Sequence, residues 1–125
     1  MKKVLLIDDK WYFRAVWMWR ARNKFTFLHA NTTDKARELF RDHPDIAAII
    51  VDAHMDKGFG IKRKIPVREW GFDTHNLIMD LRLQFKGPII ASPCQPWHFK
   101  PMMNAGCTHY AWKWRVARLL KKLLL

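Results

Sequence analysis

Two adjacent carboxylates, Asp8 and Asp9, close the apolar run Val4, Leu5, Leu6, Ile7. A third, Asp52, closes a second apolar run, Ile46 to Val51. Like charges this close repel, so the pair at 8 and 9 asks for something positive nearby. Oxygen-only acids of this kind suit Mg²⁺, which takes few carboxylates and completes its shell with waters and phosphate oxygens. Ser92 follows a third apolar stretch, Ile89 to Ala91, and Lys113 follows a fourth, Thr108 to Trp112. A hydroxyl and a point positive charge are what a phosphoryl group needs from its surroundings. The chemistry these residues predict is phosphoryl transfer to an aspartate, an in-line displacement governed by positioning and charge neutralisation.

Such a constellation works only if the chain brings distant positions to one edge. The apolar runs read as strands buried on both faces, the kind found in parallel sheets. Phe25 to His29 is a further short strand. Helical patterns separate the strands. Residues 10–23 carry Phe13, Val16, Trp17 and Ala21 at spacings of three and four. Asn31, Thr32, Thr33 and Asp34 supply N-cap types for a helix to about Asp42. Thr74 to Phe85 is a helix with Leu77, Ile78, Leu81 and Phe85 on one side. Pro93, Pro96 and Pro101 restrict the next to a short one, with Pro101 tolerable in its first turn and Gly106 at its end. Lys113 to Leu125 closes the series, with Val116, Leu119, Leu120, Leu123 and Leu124 on one face. Five alternations predict a doubly wound α/β domain with a five-stranded parallel sheet and about five helices. In such sheets, sites lie beyond the carboxyl ends of the strands, where Asp8, Asp9, Asp52, Ser92 and Lys113 all fall.

In this order the stretches "VLLIDD", "AAIIVDAHM", "PIIAS" and "NAGCTHYAWK" resemble a response-regulator receiver domain. The resemblance covers nearly the whole chain apart from residues 56–73. It implies a flavodoxin-like fold and a phosphoacceptor in a two-component phosphorelay, with Asp52 taking the phosphoryl group from a histidine kinase, a histidine phosphotransfer protein or a small phosphodonor. It implies Asp9 as the direct Mg²⁺ ligand with Asp52, Asp8 as its outer partner, and the His54 backbone carbonyl completing the metal site. Ser92 becomes the switch hydroxyl, Lys113 the phosphate-contacting lysine and Tyr110 the aromatic whose rotation reports phosphorylation. Such a domain is not an enzyme beyond its own phosphorylation and dephosphorylation. The sequence departs from the family where Asp56 replaces a usual proline, where about ten extra residues precede the next helix, and where Trp114 replaces the proline after the lysine. The acceptor chemistry is intact, and the signalling surface is remodelled.

Composition bounds the rest. The chain has 125 residues, which suits one domain spanning 1–125. No apolar run approaches the ~18–20 residues of a membrane span, and no secretory signal is visible. Cys94 and Cys107 form no disulfide framework, and reduced thiols in a cytoplasm are the simplest reading. No sequence remains for an effector domain, which would put output on a downstream protein partner or onward phosphotransfer. Twenty-three Lys and Arg against eleven Asp and Glu give a net charge of +12. Lys57, Lys62, Arg63, Lys64 and Arg68 crowd the irregular segment 56–73, which reads as a basic interaction surface for an acidic partner or nucleic acid. The rival reading is therefore a nucleic-acid- or partner-binding module on a receiver-like scaffold, using that segment and exposed tryptophans. An aspartate-nucleophile phosphatase would want a second acid two residues after the nucleophile, where this chain has Lys10 and His54.

Overall fold

A computed structural model describes residues 1–8, 21, 23–54, 73–93 and 95–125. Five strands form one parallel sheet: β1 (Lys2–Ile7), β2 (Phe25–Ala30), β3 (Ile46–Val51), β4 (Ile89–Ala91) and β5 (His109–Tyr110). Their spatial order is β2-β1-β3-β4-β5. The described helices are α1 (Thr33–Asp42), α2 (His75–Gln84), α3 (Phe99–Ala105) and α4 (Val116–Leu124), with 3₁₀ turns at Pro96–His98 and Lys113–Arg115. This is the doubly wound α/β arrangement the alternation predicts. Among the described residues no helix is long and apolar enough to cross a membrane.

The unbroken apolar strands follow from covering both faces. Leu5, Ile7, Ile49, Val51, Ile89 and Ala91 point one way and pack with Leu77, Ile78, Leu81 and Met102. Val4, Leu6, Ala48, Ile50 and Ile90 point the other way and pack with Val116 and Leu120 of α4. Strand alternation thus gives each neighbouring residue its own core.

Local signals hold the helices in place. Thr32 caps α1, its side chain accepting from the Lys35 backbone N–H at 3.1 Å. Pro96 opens a 3₁₀ turn, and Pro101 sits in the first turn of α3, where its missing N–H costs nothing. Gly106 ends α3 at φ 139°, and a Cβ there would lie 2.8 Å from Arg82 Cβ. Both the backbone and the space require glycine.

Two expectations shift. The last strand is His109–Tyr110, shorter than Thr108–Trp112. It is an edge strand beside the three-residue β4, in which only Ile90 and Ala91 pair with it. The Thr108 hydroxyl, not a strand rung, takes the Ile89 backbone N–H at 3.0 Å. The last helix starts as the 3₁₀ turn and becomes α-helical only at Val116. The expected helix 10–23 and segment 56–73 lie largely outside the described residues.

Candidate phosphoacceptor site

The sheet ladder itself aligns the site. Asp8 N donates to Ala30 O, Asp52 N to Ile7 O and Ser92 N to Val51 O, at 3.1, 3.0 and 2.9 Å. Each chemical residue is therefore the first one past its strand, held by the final rung. Ala111 N makes the equivalent bond to Ala91 O at 3.0 Å and carries the chain to Lys113. Side chains separated by up to 105 residues meet because parallel strands end together.

Lys113 is the hub. Its Nζ donates to Asp8 Oδ2 at 3.3 Å, to Asp52 Oδ2 at 3.2 Å and to the Ser92 carbonyl at 2.7 Å. All three charged side chains are buried, with exposures of 1%, 2% and 4% for Asp8, Asp52 and Lys113. The other oxygen of Asp52, Oδ1, accepts from the Ala53 backbone N–H at 2.7 Å. Two acids share one ammonium, so these three side chains carry a surplus negative charge that a small cation would offset.

The Ser92 hydroxyl is buried and hydrogen-bonds to no described residue. A buried hydroxyl without a partner is uncommon and asks for an explanation. Beside the Asp52–Lys113 pair, a phosphoryl oxygen would satisfy it. The donors here are oxygens: two carboxylates, with the His54 carbonyl two residues after Asp52. That set fits a hard cation such as Mg²⁺. Among the described residues no group of three or more His, Cys, Asp or Glu is arranged to hold a metal. Asp9, expected as the direct ligand, lies outside the described residues, as do Lys57, Lys62, Arg63, Lys64 and Arg68 of the basic segment, and Trp11, Trp17 and Trp19.

Tyr110 is neither buried nor at the centre of the site. It is 61% exposed on the edge strand, its ring 5.0 Å from that of Phe99. A core role is excluded.

Three supporting residues escaped sequence reasoning. Thr74 is fully buried, and its Oγ1 donates to Asp52 O at 2.7 Å and to Ala53 O at 3.2 Å. It pins the start of α2 to the acceptor end of β3. Its signal was lost because 22 residues separate it from Asp52. His29 Nε2 donates to the Asp8 carbonyl at 2.8 Å and holds the residue that follows β1. His98 is buried, its ring 4.6 Å from and nearly perpendicular to that of His54. His54 Nδ1 also lies 3.5 Å from Asp73 Oδ2. No ligand-like spacing marked these histidines, and only the fold brings His29 to Asp8 and His98 to His54.

The sequence matches no family model and no curated protein. Solved structures do match. A two-component response regulator from Clostridium difficile superposes with a TM-score of 0.77 at 14% identity, over 99% of this chain and 96% of that one. The fold is that of a receiver domain. The receiver fold recurs in the response regulator TrrA from Thermotoga maritima, solved in complex with Mg²⁺–BeF, at a TM-score of 0.75 and 18% identity over 99% and 100% of the two chains. A further match is the complex of the CheA3 P1 domain with CheY6 from R. sphaeroides, at a TM-score of 0.71 and 15% identity over 98% and 96%.

Proposed function

We propose that the protein is a phosphoacceptor of two-component signalling, with Asp52 as the acceptor. The observation that carries this reading is the buried meeting of Asp8, Asp52 and Lys113 at the carboxyl edge of a receiver fold. In the reaction, an Asp52 carboxylate oxygen attacks the phosphorus of a phosphohistidine in line with the leaving nitrogen. A P–O bond forms, the P–N bond breaks, and its electron pair returns to the imidazole, which takes a proton. The donor would be a histidine kinase or phosphotransfer protein, as in the CheA3–CheY6 neighbour.

Asp8, Asp9 and Asp52, with the His54 carbonyl, would hold Mg²⁺, which supplies charge neutralisation for the transferring group. This chain's own residues do the rest. The Ala53 N–H fixes the Asp52 carboxylate, and Thr74 fixes the backbone behind it. Lys113 trades its contact with Asp52 for a phosphoryl oxygen, because the modified acid carries more charge. Ser92 Oγ donates to another phosphoryl oxygen and gains the partner it lacks. That movement would draw the β4 edge inward and let Tyr110 turn from its exposed position.

Intact-mass measurement after acetyl phosphate and Mg²⁺ tests the reading. Wild type is expected to gain one hydroxylamine-labile phosphoryl group and Asp52→Asn none. Equal gain by the variant would remove Asp52 from the role. Chelation of the divalent cation is expected to suppress the gain.

A further inference from the structure

We propose that the face carrying Trp112, Trp114 and the outer side of α4 binds single-stranded nucleic acid. The phosphoacceptor chemistry uses none of the side chains on this face.

The tryptophan rings are parallel to within 1°, with centroids 5.4 Å apart. Phe99 braces Trp112 edge-on, at 5.0 Å and 78°. Trp114, the outer ring, is 63% exposed. The stack is thus preformed and backed by Phe99, and the mostly exposed Trp114 ring is its solvent end. Indole left in water forgoes the stabilisation of burial, and a flat ring held at a fixed angle is a stacking platform.

Cations continue from it. Arg115, Arg118, Lys121 and Lys122 are exposed and recur at helical spacing along one side. The segment 113–125 contains no acid. From residue 115 to residue 122 the stripe runs about 10 Å, which spans about three phosphates of a stacked strand at ~3.4 Å each. Packing does not account for these charges, because the apolar side of the same helix already meets the sheet through Val116, Ala117 and Leu120. A second copy of the chain would set like charges against each other. An acidic polypeptide would satisfy the cations and leave the ring face idle. A strand of phosphates with bases attached satisfies both.

The test uses the full chain and fluorescein-labelled single-stranded oligothymidylate, with a poly-glutamate peptide of matched charge as the competing anion. Anisotropy is expected to report binding that falls by a decade or more between ~50 and ~200 mM salt. Trp114→Ala should weaken it about tenfold, and Trp114→Phe, which keeps a ring, should recover most of the loss. Arg118→Gln with Lys121→Gln should lower the salt slope. Because Arg118 and Lys121 are exposed, thermal melts of that variant should match wild type, and Trp114→Phe, which keeps a stacked ring, controls for any change in the melt of Trp114→Ala. No binding at low salt overturns the proposal. So does equal binding of poly-glutamate, or oligothymidylate binding indifferent to Trp114→Ala, which would assign it to charge elsewhere.

Discussion

Two lysines of this protein pair with carboxylates at opposite ends of the same strands, and the pairs are not alike. Lys3, at the start of β1, meets Asp45 Oδ2 at 3.0 Å with side-chain exposures of 31% and 62%. Lys113, at the far end, meets Asp8 and Asp52 at 3.3 and 3.2 Å with almost no exposure. The distances are close to equal. Water makes the difference, since solvent screens the first pair and the second has only protein around it. The shorter contact is therefore the weaker constraint. Charge taken out of water at a strand end adds little to stability, because a buried ion pair seldom repays its desolvation.

Breaking the buried pair gives the largest expected effect. Lys113→Met leaves two carboxylates without their ammonium and should cost about 3–5 kcal/mol in denaturant unfolding. Millimolar Mg²⁺ should restore part of the loss, and a loss below that of a surface variant would undo the comparison. Asp8→Asn sharpens it from the other side. The amide oxygen can still accept from Lys113, and one acid then faces one ammonium. Its loss in the same measurement should be less than half that of Lys113→Met. The exposed Arg37–Asp80 pair, at 2.6 Å, comes next. A double-mutant cycle with Arg37→Ala and Asp80→Ala should return a coupling of ~0.2–1 kcal/mol that shrinks in high salt.

Asp45 gives the smallest effect, and its sign is fixed. The hydrogen bond from Lys3 holds its carboxyl below the ordinary value of 3.8. A lowered folded value means that the contribution is fully present above the unfolded value and is lost as pH falls through the folded one. Carboxyl chemical-shift titration should show Asp45 rising toward 3.8 in Lys3→Ala, with melting near neutral pH barely changed.

Much of this fold was legible in the sequence, for a physical reason. Ile46–Val51 was found to the residue because a strand covered on both faces is apolar without interruption, and the buried acid Asp52 marks where the strand ends. Thr32 and Gly106 announced helix ends by local chemistry. The same legibility extended to the positions of Asp8, Asp52 and Ser92, each one residue beyond a strand, and of Lys113, three beyond. Thr74 and His98 were not legible, because their roles arise from contacts across the fold and not from neighbours in sequence. The 3₁₀ start of α4 was also hidden, since Lys113 is drawn inward to the acids and the first turn tightens around it. Cys107 is free and buried, and burial pushes its thiol up to about 12, so little thiolate forms near neutral pH.

The bond from Lys113 to Asp8 spans 105 residues, and that from Lys2 to Leu124 spans 122. These separations dictate an order of events during synthesis. β1 and β3 leave the ribosome with their acids already in place, and the ammonium that reconciles them arrives late. Loop closure of that length is slow, and until it happens the sheet edge has a reason to stay open to water. A chain halted after Ala105 is therefore expected to remain sensitive to protease, and a peptide of residues 106–125 added in trans should close it.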